Sequence, residues 1–547
     1  MAGSHLKKYI PILLFIVIVC TLSLCGLERR LNEKELEDQG LPAELYGQQK
    51  KLHSLSLSSN IADNISWLDG PIETLELTLS SYQRLSELHS AVRNLTLENT
   101  KLKNLSGIKK LNVTTLHLKG NKRLSDLSAL AGHSTLQTLI VENNGVVRLF
   151  PWASLSVSRL EIINTTIDGG FKGAAVLPQI EELFLDGKKD KNPTPNQWRL
   201  DHPSLRKLTL RATDIKALPL LPSDILKLTL LSNNDLRNLN GLDQVSGSLQ
   251  YLELQKNRHL KIDHLPTLLS LEILKVHCKS DLDKITSLAE KTPHIHSLFL
   301  FGVLSSSFEP LGNLSALKEL HLLNNDNLLS LLSLPKSLKV LNLRDQIRLD
   351  STDFADISKL AQLTSLTISR CDGLEQLDLT QLSRLKRLVL ENNDSLTNLI
   401  GLKSHPNLSH LDLRDNPRIK LSNLNELPFL MKFSWQGRSN LGLACDIDSN
   451  SIGMVFRSKG DKSIQLSQAH LVQLDLSGNN AIDSLKCVAT FQNLEVLNLA
   501  RTKVSDLEPL HSLESLKRLD LRYSKVRSLK GLPDYPEQRL SLILTSY

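Results

Sequence analysis

Aromatic side chains are scarce in this chain of 547 residues, where Phe, Trp and Tyr together make up only 4%. Rings of this size dominate the cores of most globular domains, so another residue type must fill the interior here. The six cysteines include no C-x-x-C pair and form no cluster. Their spacing therefore excludes a cysteine-rich zinc site and a dense disulfide scaffold.

Motifs typical of enzymes and of nucleic-acid-binding surfaces are missing as well. The chain has no phosphate-binding glycine loop, no H-E-x-x-H and no G-x-S-x-G. None of its 16 histidines lies beside carboxylates or cysteines at the spacing of a metal site. The net charge of +7 is spread without a long basic run. We therefore predict a protein that is not an enzyme and that needs no metal, cofactor or nucleic acid partner.

Leucine supplies the apolar content that the aromatic residues do not, in a pattern L-x-x-L-x-L-x-x-N that recurs from Leu52 onward. Clear copies are Leu249–Asn257, Leu385–Asn393, Leu408–Asn416 and Leu471–Asn479. A chain of this length is too long for one ordinary globular core. A repeat array avoids that limit, because each unit buries its apolar face against its neighbours.

These copies resemble the leucine-rich repeat family, and the resemblance covers most of the chain. It implies an α/β repeat solenoid, a horseshoe or arc with a parallel concave β-sheet and short extended or 3-10 segments on the convex side. The L-x-L alternation agrees with a short strand that is buried on one face. Secreted animal members of this family often seal the array with cysteine clusters. Their absence here favours a bacterial chain, or one that does not depend on disulfides.

The Asn that follows each predicted strand stands where the chain turns inward. Its side-chain amide both donates and accepts, so we expect a ladder of hydrogen bonds to neighbouring backbone groups. Thr100, Thr165 and Cys371 take this place in other units, and those units should be bonded less completely. For Cys371 we expect a buried, purely structural side chain.

The N-terminus differs from the rest, because residues 10–27 carry no charge and follow Lys7 and Lys8. A helix of this length spans roughly 27 Å, close to the hydrocarbon thickness of a bilayer. We expect one N-terminal transmembrane helix after a short cytoplasmic segment, residues 1–9, with the repeats outside the cytoplasm. A cleaved signal peptide and a lipoprotein signal at Cys25 are the alternatives.

The remaining segments follow from where the motif is present. Residues 28–51 read as a helical linker and N-terminal cap, residues 52–429 as leucine-rich repeats, and residues 471–547 as C-terminal repeats. Between them, residues 430–470 nearly lose the motif and are either two degenerate units or a functional insertion. The apolar strand near Tyr547 predicts possible self-association through its edge.

Side chains that alternate with the strand leucines should face solvent on the concave sheet. They are acidic in the early units and mixed to basic in the later ones, and a solvated face with random charges would look similar. Exposed aromatic residues are typical binding anchors, and Ile295–Val303 (IHSLFLFGV) is the most apolar stretch on this face. The candidate binding residues are Glu142, Glu161, Phe184, Asp186, Tyr251, Phe299, Phe301, His321, Arg344 and Arg414.

The resemblance and the N-terminus together predict a membrane-tethered binding protein. Its partners would be a protein ligand on the concave surface and the membrane through residues 10–27. The repeats would then be periplasmic or extracellular. The alternatives are an intracellular scaffold or regulator built on the same repeats, and a surface lipoprotein, adhesin or secreted protein.

Overall fold

The computed structural model describes residues 54–58, 73–78 and most of 85–544. The larger gaps are 149–154, 168–176, 188–201, 261–264, 278–287, 305–308, 420–426, 437–453, 467–469 and 534–539. The chain divides into two units, Met1–Leu268 and Leu269–Tyr547. The expected anchor at 10–27 and the linker at 28–51 lie outside the described residues. Within those residues, no helix has the length and apolar character needed to span a bilayer.

The first unit is a stack of short parallel strands. Its strands are β1 (Ser54–Ser58), β2 (Thr74–Thr78), β3 (Asn94–Glu98), β4 (Thr115–Lys119), β5 (Thr138–Glu142), β6 (Val146–Val147), β7 (Arg159–Ile163), β8 (Thr166–Ile167), β9 (Glu182–Asp186), β10 (Lys207–Arg211), β11 (Lys227–Leu231) and β12 (Tyr251–Gln255). All except β6 and β8 pair in chain order, parallel and in register. Strands β6 and β8 pair with each other. The return segments contain 3-10 turns at Ile108–Lys110, Ser128–Leu130 and Leu242–Val245.

The second unit repeats this plan. Its strands are β13 (Ile273–His277), β14 (Ser297–Phe301), β15 (Glu319–Leu323), β16 (Val340–Arg344), β17 (Ser365–Ser369), β18 (Gln376–Asp378), β19 (Arg387–Glu391), β20 (Asn398–Ile400), β21 (His410–Asp412), β22 (Lys432–Ser434), β23 (Met454–Ser458), β24 (Asp461–Leu466), β25 (Gln473–Asp475), β26 (Val496–Asn498), β27 (Arg518–Asp520) and β28 (Ser541–Ile543). The main sheet joins all of them in chain order except β18, β20, β23 and β24.

Among the described residues of the second unit, the helical segments are short. The α-helices are α1 (Leu288–Lys291) and α2 (Ser351–Ala355), and 3-10 turns occupy Glu309–Asn313, Asp356–Lys359, Val488–Thr490 and Glu508–Leu510. Buried side chains such as Leu288, Phe354 and Leu510 hold these segments against the core of the solenoid. The expected short return segments are therefore present.

The core of each unit is a column of leucines. In β3, for example, Leu95 and Leu97 are buried, while the residues that alternate with them along the strand are half-exposed. Leu102 and Leu105 close the same turn from the return segment. Burying one such side chain stabilises the fold by about 1.5–3 kcal/mol. We call the other side of each main sheet, which carries the alternating side chains, the open face.

The asparagine ladder is present in both units. Asn393, for example, accepts a hydrogen bond from the backbone N–H of Cys371 at 3.0 Å and donates to the carbonyl of Ile368 at 3.0 Å. Its own N–H donates to Asn416 Oδ1 at 3.0 Å. Cys371 is buried as expected, and burial raises the pKa of its thiol to about 12. Its Sγ reaches the carbonyl of Leu343 only at 4.0 Å, so the bond there is weaker than an asparagine would make.

Strands β21, β25, β26 and β27 are only three residues long, and a side chain explains why. Each ends on Asp or Asn, whose Oδ1 accepts from the backbone N–H two residues later at 2.9–3.1 Å. Such a local turn removes that N–H from strand pairing and ends the strand. Asn342, at the same position of β16, instead donates to His321 at 3.4 Å, and β16 keeps five residues.

The stretch that loses the repeat motif forms a single step of the solenoid. Strand β22 pairs directly with β25, although residues 435–472 lie between them. Strands β23 and β24 form an antiparallel hairpin outside the main sheet. No described strand of the main sheet therefore lies between Ser434 and Gln473. The interpretation of residues 430–470 as degenerate units or as a functional insertion stays a prediction.

Candidate functional site

Aromatic rings come together on the open face of the second unit, where three neighbouring strands, β13, β14 and β15, lie in register. Phe299 of β14 stands between Lys275 of β13 and His321 of β15, while Phe301 lies beside His277. The in-register pairing of the strands produces this grouping, because equivalent positions of neighbouring strands are only about 4.8 Å apart. We call His277, Phe299, Phe301 and His321 the aromatic cluster.

Contacts between strands hold these rings in place. The Phe299 and His321 rings are stacked, with centroids 4.0 Å apart and planes at 9°. The His277 and Phe301 rings are tilted by 57° at 3.8 Å. Lys275 Nζ lies 4.7 Å from the Phe299 centroid, within the range of a cation–π contact. Phe299 and Phe301 are half-buried, so each keeps surface for a ligand while losing little rotamer freedom on binding.

His321 acts as a neutral ring in this cluster. Burial is the main cause that lowers the pKa of His321, and the charge of Lys275 lowers it further, whereas Glu319 raises it. The hydrogen bond from Asn342 Nδ2 to His321 Nδ1 needs that nitrogen to be unprotonated. A neutral imidazole can stack on Phe299 without placing a second cation beside Lys275.

The predicted acidic residues Glu142 and Glu161 of the first unit each contact a basic side chain. Glu142 lies 3.1 Å from His117, and Glu161 binds Arg159. Other carboxylates on this face are paired in the same way, in Glu98–Lys119 and Glu182–Lys207. The expected acidic character toward the N-terminus is therefore largely cancelled, because in-register stacking places an opposite charge on a neighbouring strand or two residues along the same one.

Asp186 does not face solvent as expected. It is 7% exposed, binds Arg211 at 2.6 Å and accepts from the backbone N–H of Asn164 at 3.2 Å. Its place at the end of β9 draws it into the turn, which makes it a structural residue. Phe184 is half-buried, with the Arg211 guanidinium 5.3 Å from its ring centroid. Glu161 and Phe184 line a shallow groove of about 170 Å³.

Tyr251 is likewise tied to its neighbours. Its hydroxyl donates to Glu253 at 2.6 Å, and Lys227 Nζ lies 4.3 Å from the ring centroid. Burial, followed by the bond to Glu253, raises the pKa of Tyr251. The Tyr251 side chain is half-buried at the first position of β12.

The two predicted arginines differ in how their charge is used. Arg344 is exposed and lies 3.6 Å from Asp345. Both Nε and Nη2 of Arg414 donate to the Asp412 carboxylate, at 2.9 and 2.7 Å. The hydrogen bond to Asp412 raises the pKa of Arg414. Arg522 binds Asp520 in the same manner at 2.7 Å. These internal pairs neutralise much of the basic character expected of the later units.

Sequence reasoning selected Phe299, Phe301 and His321 but missed Lys275, His277 and Asn342. A signal for all three was available, since they hold the third or fifth position of neighbouring repeats. Aligning the units by their leucines would have found them. Within the described ranges, no group of three or more His, Cys, Asp or Glu side chains could hold a metal ion.

Comparisons with known proteins bear on the repeats themselves. Residues 492–534 match the family model described as Leucine Rich repeats (2 copies). No curated protein matches the chain. A solved structure, the crystal structure of a TLR13–ssRNA13 complex, aligns with a TM-score of 0.48 and 19% identity. That alignment covers 91% of this chain and 77% of the other.

Proposed function

We propose that this chain is a leucine-rich repeat solenoid and a recognition protein whose aromatic cluster anchors a protein ligand. The observation that carries this proposal is the pair Phe299 and Phe301, half-exposed on the open face and braced by His277 and His321. Aromatic anchors supported by neighbours are typical of the few residues that dominate binding energy at interfaces. We propose no catalytic role.

The finer parts of the proposal rest on the sequence. An apolar segment at residues 10–27 after Lys7 and Lys8 supports a membrane tether with the repeats outside the cytoplasm. A tethered chain with a rigid open face would suit recognition of a partner in the periplasm or outside the cell. The fold by itself names no partner.

Nucleic acid stays a second candidate ligand, contrary to the expectation from charge. Stacked rings beside a lysine, as in Phe299, His321 and Lys275, also suit the bases of a single strand. The protein ligand is favoured because Lys275 already lies over the Phe299 ring. A base stacked on that ring would have to displace it.

The test is capture of a partner by the full chain, compared between two double variants. Phe299→Ala with Phe301→Ala should weaken binding by roughly a hundredfold or more, since truncating one anchor typically costs about 2 kcal/mol or more. The matched control is Leu329→Ala with Ile347→Ala, which removes exposed apolar side chains away from the cluster. Equal affinity of both variants for the captured protein would refute the proposal. Tighter binding of single-stranded RNA would favour the second candidate.

A further inference from the structure

Two cationic side chains and a histidine between them form a strip on the open face of the second unit, away from the aromatic cluster. Arg387, His410 and Lys432 hold the first position of β19, β21 and β22, directly opposite one another in register. Strands lie about 4.8 Å apart, so Arg387 and Lys432 are about 10 Å apart at their backbones. We call these three residues the cation strip.

Arg387 and Lys432 keep their charges without an ionic partner among the described residues. Neither residue forms an ion pair within the part of the chain that the structure describes, in contrast to Arg414, which binds Asp412. Burial lowers the pKa of His410, and the charges of Lys432 and Arg387 lower it further. The strip therefore has a positive potential that an anionic ligand would relieve.

The strip borders a recess rather than a flat surface. Arg387, His410 and Lys432 line a groove of about 290 Å³ that runs across the strands from β19 to β27. At the third strand position the groove is lined by Asp412, which is already bound by Arg414, and by Asp475 of β25, which lies opposite Ser434 of β22. The groove thus has a cationic edge beside a row that contains carboxylates.

This arrangement of charge selects among anions. A nucleic acid has a phosphate on every nucleotide, and its chain would bring some of them close to Asp475. An extended peptide can place carboxylate side chains on one edge and turn backbone N–H donors toward the other. A peptide with acidic side chains therefore complements both rows at once.

We propose that the cation strip binds an acidic segment of a peptide chain, with its carboxylates on Arg387 and Lys432 and its backbone amides toward Asp475. His410 lies between the two cations and donates a hydrogen bond to the same segment. This site is separate from the aromatic cluster, so it does not depend on what that cluster binds.

The test uses the full chain and a fluorescein-labelled peptide of six glutamates, with fluorescence anisotropy as the readout. Arg387→Gln with Lys432→Gln should weaken binding by about tenfold, as expected for the loss of two partly exposed charge pairs. The matched control is Lys503→Gln with Lys525→Gln, which removes the same charge from exposed residues in turns of the same unit. The control should bind like the natural chain.

Other outcomes would overturn the proposal. Equal weakening in both double variants would mean that net charge, and not the strip, attracts the peptide. No binding of the six-glutamate peptide by the natural chain would remove the site altogether. Tighter binding of a six-nucleotide single-stranded RNA at the same ionic strength would assign the strip to nucleic acid. Circular dichroism of each variant checks that the sheet is intact.

Discussion

Replacing Asn393 with leucine is expected to destabilise the second unit by about 4 kcal/mol. The side chain is fully buried and has no freedom to find other partners. Leucine would remove the acceptor of the Cys371 N–H and the donor to the Ile368 carbonyl, both bonded at 3.0 Å. Each buried backbone group left without a partner costs about 1–3 kcal/mol. Two such groups give the expected value.

A threonine at the same place should cost only part of this amount. Thr100 and Thr165 occupy the equivalent position in the first unit. The Thr165 hydroxyl accepts from the Asn144 N–H at 3.1 Å, but it donates at 2.9 Å to the carbonyl of Ile163 in its own strand and reaches the carbonyl of Val141, the equivalent of Ile368, only at 3.3 Å. Asn393→Thr should therefore keep one of the two bonds. Asp394→Leu, at the exposed neighbour, is the control and should change stability by less than about 0.5 kcal/mol.

Hydrogen exchange at the Cys371 amide is the sharpest assay, because a repeat array opens locally. Exchange there should accelerate by roughly two to three orders of magnitude in Asn393→Leu, at about tenfold for each 1.4 kcal/mol. Urea unfolding followed by circular dichroism measures the global effect. If Asn393→Leu exchanges at the natural rate, or if threonine is as costly as leucine, the ladder does not stabilise the fold as argued.

Two further predictions concern buried histidine and glycine. Burial lowers the pKa of His405, whose Nε2 donates to the Leu382 carbonyl at 3.0 Å. Its contribution to stability is present above the ordinary histidine pKa of about 6.5 and is lost as pH falls toward the lowered value. Lowering the pH from 7 to 5.5 should therefore reduce the free energy of unfolding in urea less in His405→Gln than in the natural chain. An equal reduction in both proteins would contradict this. A Cβ on Gly373 would lie 1.9 Å from the Leu349 carbonyl oxygen. The variant Gly373→Ala should therefore unfold at a clearly lower urea concentration than the natural chain. An unchanged unfolding midpoint would show that the backbone shifts to make room for the methyl group.

Much of the fold could be predicted because every repeat makes the same kinds of contact with its neighbours. The L-x-L spacing predicted the strands, the inward asparagines predicted the ladder, and short return segments predicted 3-10 turns in place of helices. The candidate site was predicted only in part. Phe299, Phe301 and His321 were found by their exposure, but Lys275 and His277 belong to a neighbouring unit. Nothing within a single repeat marks them as partners.

Charge was the least predictable property. Residues such as Glu161, Asp186 and Arg414 were assigned to a solvated face from their place in the alternation. Each has an opposite charge on the same or the adjacent strand. The formal charges in the sequence therefore do not tell which charged side chains are available to a ligand. Arg387 and Lys432 are identified only once the ion pairs of the other charged residues are known.

The sequence by itself determined the parallel stack, the leucine core and the asparagine ladder, because these depend on contacts that every unit makes with identical neighbours. Tertiary structure alone decided that β22 pairs with β25 across residues 435–472. A segment that adds no strand to the main sheet carries no repeat motif from which this pairing could be predicted. It also decided which rings stack and which cations are unpaired. Those features depend on what lies about 4.8 Å away on the next strand, some twenty or more residues distant in the chain.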